Sequence, residues 1–296
     1  MNTRTAPLAW RPLAEGDLPQ LAALAAICLE ADGGQPFAAS PEFLRQSYPQ
    51  GPRTQLAFDG GRLVCAVSLH GGWLAGPGSP GDAVTTGLVD PAWRRRGIGG
   101  QAFNWARAEA GAISIRAETE ALSDGAHALY LSRGLRQVFA EDVMQLGATA
   151  AVPRPNRPAG LELTPWGAAD PTRFFAVYHA AFRERPNFPG RTQAQWIEWI
   201  SDDEDFRADW TLLATLSGTD AGFIAGAATG WIVQLGVAPE ARGRDLGASM
   251  IAEVVSRMRA AGETTITLNV GTDNPHAARL YNRAGFTRTG RRARYA

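Results

Sequence analysis

Lysine is absent from all 296 residues, so the 29 basic side chains are arginines, and they balance 29 acidic ones to a formal charge of zero. A neutral chain has no broad field with which to gather nucleic acid or an anionic membrane, and neither partner is expected. The missing lysine also excludes a Walker-type phosphate loop, and no Gly-x-Gly-x-x-Gly follows the first expected strand. A GC-rich coding bias accounts for the arginines without any functional meaning. Cysteine is scarce as well. Cys28 and Cys65 stand far apart with no CxxC partner, which indicates neither a disulfide framework nor a zinc site and fits a reducing compartment. The four histidines, His70, His127, His179 and His276, show no ligand spacing, and no metal is expected. No run approaches the roughly 18 uninterrupted apolar residues of a membrane helix. The opening MNTRTAPLAWRPL lacks an apolar signal core, so a cytoplasmic location is expected.

What is present is an ordinary globular composition, 45% hydrophobic and 20% charged. The length suits two hydrophobic cores better than one. Residues 147–160, GATAAVPRPNRPAG, interrupt every apolar pattern with three prolines and read as a linker. The expected domains are therefore 1–147 and 161–296, joined by 148–160. In the first, Leu8 to Pro12 reads as a strand, Asp17 to Leu29 as a helix and Ser40 to Tyr48 as a second helix capped by Ser40. Gln55 to Phe58 and Leu63 to Leu69 pair around Asp59-Gly60-Gly61, a glycine-rich loop spans Gly71 to Gly81, and Ala83 to Val89 is a further strand. The second half repeats this order: a strand at Leu161 to Thr164, helices from Asp170 and near Thr192 to Trp199, then strands at Thr211 to Thr215, Phe223 to Ala228 and Ile232 to Val237.

After the last strand of each set comes a turn rich in arginine and glycine, followed by a long helix. Val89-Asp90-Pro91-Ala92-Trp93-Arg94-Arg95-Arg96-Gly97-Ile98-Gly99 overlays Val237-Ala238-Pro239-Glu240-Ala241-Arg242-Gly243-Arg244-Asp245-Leu246-Gly247 at a shift of 148 positions, from 94 to 242. Farther on, Ala126-His127-Ala128-Leu129-Tyr130 overlays Ala277-Ala278-Arg279-Leu280-Tyr281 at a shift of 151. Two blocks in one order, nearly one distance apart, point to duplication. A strand running through Arg-x-x-Gly-x-Gly into a helix can hold a diphosphate. Glycines let the backbone approach, the first helical turn offers unpaired N–H groups and a positive dipole end, and arginine adds charged hydrogen bonds from the rim.

These motifs resemble the GNAT superfamily of N-acetyltransferases. Arg94, Gly97 and Gly99 match its Arg/Gln-x-x-Gly-x-Gly/Ala block in the first half, while Asn274, Ala277, Leu280, Tyr281, Gly285 and Phe286 match its Asn-x-x-Ala-x-x-Leu-Tyr-x-x-x-Gly-Phe block in the second. The resemblance implies an α/β fold of two tandem domains, each a mixed, largely antiparallel sheet flanked by helices, in a layout similar to that of the mycothiol synthases. It implies acetyl-CoA as donor, with the diphosphate on the amides of Arg242 to Ala248 and the pantetheine along Leu235, Gly236 and Val237. By the same resemblance Asn274 bonds the pantetheine arm, a strand amide steadies the oxyanion, and Tyr281 protonates the departing thiolate. In the first half Val89, Arg94, Arg95, Arg96, Gly97, Ile98 and Gly99 form the matching cofactor turn. The acceptor is a small-molecule or peptide amine, and the protein a monomer or homodimer.

Each copy departs from the pattern. Asp245 stands where a turn glycine is expected, where its carboxylate repels a diphosphate or caps the helix in its place. Ser123 and Leu135 replace the asparagine and phenylalanine in the first half. The intact tyrosine block favours the second half as catalytic, with the first a cofactor-binding or scaffolding copy. Within the resemblance a mycothiol synthase-type acetyltransferase is the alternative, and a non-catalytic acyl-CoA sensor or partner-binding module is the alternative from another class. No general base stands out: Asp82 precedes a strand, Asp202-Asp203-Glu204-Asp205 reads as a solvated turn, and Arg288, Arg291, Arg292 and Arg294 read as an exposed face on the closing strands. Trp166, Trp196, Trp199, Trp210 and Trp231 are expected mostly to fill the core.

Overall fold

The computed structural model describes residues 7–71, 83–185, 188 and 190–296. The expected loop from Gly71 to Gly81 lies, apart from Gly71 itself, outside the described residues, as does Asp82. The chain divides into two compact units, Met1–Val143 with Thr289–Ala296, and Met144–Arg288.

In the first unit, strand β1 (Ala9–Leu13) leads through a short 3-10 turn into helix α1 (Leu18–Asp32) and then helix α2 (Pro41–Ser47). Ser40 caps α2, its Oγ accepting from Phe43 N at 3.2 Å, as its position before Pro41 predicts. Strands β2 (Gly51–Asp59), β3 (Arg62–Gly71) and β4 (Ala83–Val89) follow in an antiparallel meander. Helix α3 (Ile98–Ala110) then crosses to strand β5 (Ile115–Thr119), which lies parallel to β4. Helix α4 (Asp124–Ser132) and strand β6 (Gln137–Gly147) complete the first run. One core packs Leu21, Leu24, Ala25 and Cys28 of α1 onto Leu56 and Ala66. Another packs Phe103 and Ala106 of α3 with Tyr130 onto Val67 and Ala117.

The chain then repeats the plan with β7 (Leu161–Pro165), α5 (Pro171–Phe182), α6 (Gln193–Ser201), β8 (Leu212–Leu216), β9 (Thr219–Ala227), β10 (Trp231–Val237), α7 (Leu246–Ala260), β11 (Thr265–Gly271), α8 (Pro275–Arg283) and β12 (Thr287–Tyr295). Strands β7 to β10 are antiparallel neighbours, and β10 is parallel to β11. Asp170 and Thr192 cap α5 and α6 with their side-chain oxygens. Trp196 and Trp210 are buried as expected, Trp196 stacked on Tyr178 with centroids 4.8 Å apart, whereas Trp199 is 42% exposed.

The sequence places the closing strand with residues 161–296, whereas the last eight residues, Thr289–Ala296, group with the first unit. There β12 lies antiparallel to β5, with Ala293 opposite Thr119, and buries Ala293 and Tyr295 in the first unit's core. Two backbone bonds between Arg136 and Ala296, at 2.8 and 3.0 Å, fasten its end. Glycine is required where this strand passes α1: a Cβ on Gly290 would sit 2.0 Å from Gly34 N.

Candidate active site

The two turns share one backbone. Arg95 and Gly97 have φ of 63° and 83°, and the equivalent Gly243 and Asp245 have 75° and 54°. Each turn thus needs two left-handed residues, and each copy supplies one glycine, at opposite positions. The non-glycine member costs about 1 kcal/mol in either copy. Asp245 does not cap α7 with its side chain, so the expected competition for the helix amides is absent. The α3 and α7 ladders open with Gln101 N to Gly97 O at 3.1 Å and Ser249 N to Asp245 O at 2.9 Å. Among the described residues no acceptor meets the amides of 95–100 or 243–248. Each helix therefore presents its positive end and a row of unsatisfied donors.

The motif arginines are not free rim donors. Arg94 makes a bidentate pair with Asp32, both contacts 2.6 Å, and its Nε donates to Val89 O at 3.1 Å. Arg242 donates from Nε to Val237 O and from Nη2 to Ala181 O, both at 3.2 Å. Both side chains thus tie the end of the first long helix to the end of the central strand. The first turn has its Arg94 charge matched by Asp32, while among the described residues Arg242 has only carbonyl partners.

Beside each turn the parallel pairing ends early. The last β4–β5 pair is Thr85 with Ala117, and the last β10–β11 pair is Ile232 with Leu268. On its other side β4 stays paired with β3 to Val89 and β10 with β9 to Val237. A bulge between Ile232 and Gln234 turns β10 away from β11. Residues 86–89 and 234–237 therefore present one open backbone edge each, a place where an extended group can add as a strand.

The second sequence block meets the first in both units. A Cβ on Gly99 would lie 3.4 Å from Leu129 Cδ2, and one on Gly247 would lie 2.9 Å from Leu280 Cδ2. The absent side chain lets the tyrosine-bearing helix settle on the turn. Asn274 spends its Oδ1 capping α8, accepting from Ala277 N at 3.1 Å, and Ser123 does the same for α4 with Ala126 N at 3.1 Å. The Ser123 departure is thus a like-for-like cap, and Asn274 keeps only its amide N–H groups for a ligand. Tyr281 is buried at 7% exposure, edge-on to Phe286. In the first unit Tyr130 packs against Tyr295 with centroids 4.9 Å apart, and burial pushes its phenol up to about 12. A cavity of about 500 Å³ in that unit is lined by Cys28, Thr85, Val89, Gly99, Ser123 and Tyr130, among others. Burial raises the Cys28 thiol to about 11, so it stays protonated near neutral pH.

Of the closing-strand arginines Arg288 is exposed as expected, whereas Arg291, Arg292 and Arg294 are half-buried and paired with acids. Arg292 Nε lies 3.1 Å from Glu120 Oε2 and Arg294 Nε 3.7 Å from Glu118 Oε2, and both guanidinium groups lie over Phe139. Burial holds the Glu120 carboxyl above its usual range, and Arg292 opposes the shift. Glu118 and Glu120 went unnoticed in the sequence, although the alternation Arg116, Glu118, Glu120 against Arg292 and Arg294 is a readable cross-strand pattern. The acidic run at Asp202 is exposed after α6, as expected. Among the described residues no cluster of metal-ligating side chains occurs.

The acetyltransferase (GNAT) family model matches residues 20–135 and again 170–286, and the chain belongs to that family. It is similar to a mycothiol acetyltransferase of Thermobispora bispora, 28% identical over 92% of this chain and 93% of that protein. To one of Clavibacter michiganensis it is 31% identical, over 67% of each. Among solved structures it resembles a GCN5-related N-acetyltransferase from Sphaerobacter thermophilus, with TM-score 0.71 and 24% identity over 97% of this chain and 94% of that one. A tandem GNAT protein from the clavulanic acid biosynthesis pathway follows with TM-score 0.59 and 20% identity, over 97% of each chain. The protein is an N-acetyltransferase of tandem GNAT architecture, and acetyl-CoA is the donor its family uses.

Proposed function

We propose that the second unit transfers acetyl from acetyl-CoA directly to a primary amine, and that the acceptor is the mycothiol precursor lacking its acetyl group. The observation that carries the reading is the meeting, in one unit, of unpaired amides at 243–248, an open β10 edge at 234–237 and the helix of the buried Tyr281, whose Leu280 packs on Gly247 of that turn. The diphosphate takes the amides and the helix end, and the pantetheine adds along β10. As the thiolate leaves, Tyr281 gives up its proton. Support for the acceptor comes from relatives named mycothiol acetyltransferase that align with nearly the whole chain.

A second reading is favoured by the cavity beside Tyr130, which offers the first unit as another acetyl-CoA site. Calorimetry with acetyl-CoA and a CoA-release assay on Tyr281→Phe and Tyr130→Phe separate the two. The expected result is a fall of about 100-fold or more in turnover for Tyr281→Phe with acetyl-CoA affinity unchanged. Normal turnover in Tyr281→Phe with loss in Tyr130→Phe would move the chemistry to the first unit.

A further inference from the structure

Where the parallel pairing ends in each unit, the next strand residue carries a buried oxygen that accepts no hydrogen bond from the described residues. In the second unit it is Asn269, directly after Leu268, the last β11 residue paired with β10. In the first it is Glu118, directly after Ala117, the last β5 residue paired with β4. Positions 118 and 269 are related by the same 151-residue shift as Tyr130 and Tyr281. Among the described residues Asn269 Oδ1 and Glu118 Oε2 are both buried without a hydrogen-bond partner, and Glu118 Oε2 makes a longer ion-pair contact with Arg294 at 3.7 Å. A buried acceptor left unpaired is destabilising, and an unpaired acceptor at one position in both copies indicates a contact made with a donor group.

The direction of these groups is set by strand alternation. Ile266, Leu268 and Val270 face the core with α7, so Asn269 lies on the other face, as does Gln234 across the fork. Gln234 already accepts from Trp196 Nε1 at 3.3 Å, so its oxygen is held by α6. Asn269 is left as the acceptor without a partner at the point where the two strands part.

We infer that Asn269 is the residue that binds the acceptor amine, its Oδ1 accepting one N–H and turning the nitrogen lone pair toward the thioester. This deepens the proposed function and rests on it. The nitrogen attacks the carbonyl carbon, the C–N bond forms and the C–S bond breaks. The thiolate takes the Tyr281 proton, and the surplus proton on nitrogen leaves to water. Asn269 accepts a hydrogen bond throughout and takes no proton. The site therefore suits an uncharged amine in an otherwise hydrogen-bonding molecule, whereas the Glu118 position suits a protonated one.

The test measures CoA release with desacetylmycothiol, and with glucosamine as a second amine, for the wild type, Asn269→Ala and Asn269→Asp. Asn269→Ala should raise the acceptor KM about tenfold or more while the acetyl-CoA Kd stays within about twofold. Asn269→Asp, nearly equal in volume, should recover acceptor binding at the lower end of the pH profile, where the amine is protonated. An unchanged acceptor KM in Asn269→Ala overturns the inference. Should that variant fail to fold, an Asn269→Asp profile identical to the wild type overturns it instead. No CoA release from the wild type with either amine, or full activity in Tyr281→Phe, brings down the underlying reading, a result separable from the first.

Discussion

Asp245 occupies the left-handed position in the second turn that Gly97 holds in the first, with φ of 54° against 83° and no side-chain cap to offset the strain. Asp245→Gly should therefore stabilise the protein by about 1 kcal/mol, read as a higher denaturation midpoint. The same change removes a carboxylate from the row of amides proposed to hold the diphosphate. Acetyl-CoA should bind about fivefold more tightly at low salt, the gain shrinking as ionic strength rises. Weaker binding would show that the aspartate assists the ligand.

Arg94 and Arg242 do the same mechanical work with different partners. Arg94→Ala leaves Asp32, 10% exposed, without its counter-charge and should cost about 2 kcal/mol in chemical denaturation. Arg242→Ala gives up hydrogen bonds to two carbonyls and should cost about 1 kcal/mol. Equal losses would contradict this division.

Removing residues 289–296 takes Ala293 and Tyr295, 1% and 0% exposed, out of the first unit's core. Hydrogen exchange should then quicken throughout β5 and α4, more than 150 residues away in sequence. Unchanged protection there would contradict the placement of this strand in the first unit's core.

Arg11 holds the Asp17 carboxyl below its usual range through contacts of 2.6 Å. Because the folded pKa lies below the unfolded one, the stabilisation is complete above the ordinary value of about 3.9 and is lost as pH falls through the folded value. The difference in urea midpoint between the wild type and Asp17→Asn should shrink from pH 7 to pH 3. A constant difference would refute it.

Most of the repeated fold was legible because its signals are local. Ser40, Asp170 and Thr192 announce their helices, and β4 runs from Ala83 to Val89 as its β-branched content suggests. The turns were legible because they recur at a fixed shift. The destination of β12 was not, since Thr289–Ala296 follows Phe286 without interruption and the alternation of Arg292, Ala293, Arg294 and Tyr295 fits either unit. The partners of the motif arginines were not legible for a related reason. Motif spacing locates Arg94 and Arg242, but only the packing of α1 and α5 supplies Asp32 and Ala181 O. Asn269 was passed over because a single polar residue in TITLNVG carries no signal until the strands are seen to part beside it.

The central claim, that the second turn's amides receive an anionic thioester carrier, is tested most directly by the crystal structure of the full chain with acetyl-CoA. The account predicts a diphosphate about 3 Å from the amide nitrogens of residues 243–248, with the pantetheine paired along β10. Acetyl-CoA found only in the first unit's cavity, with the second turn empty, would contradict it.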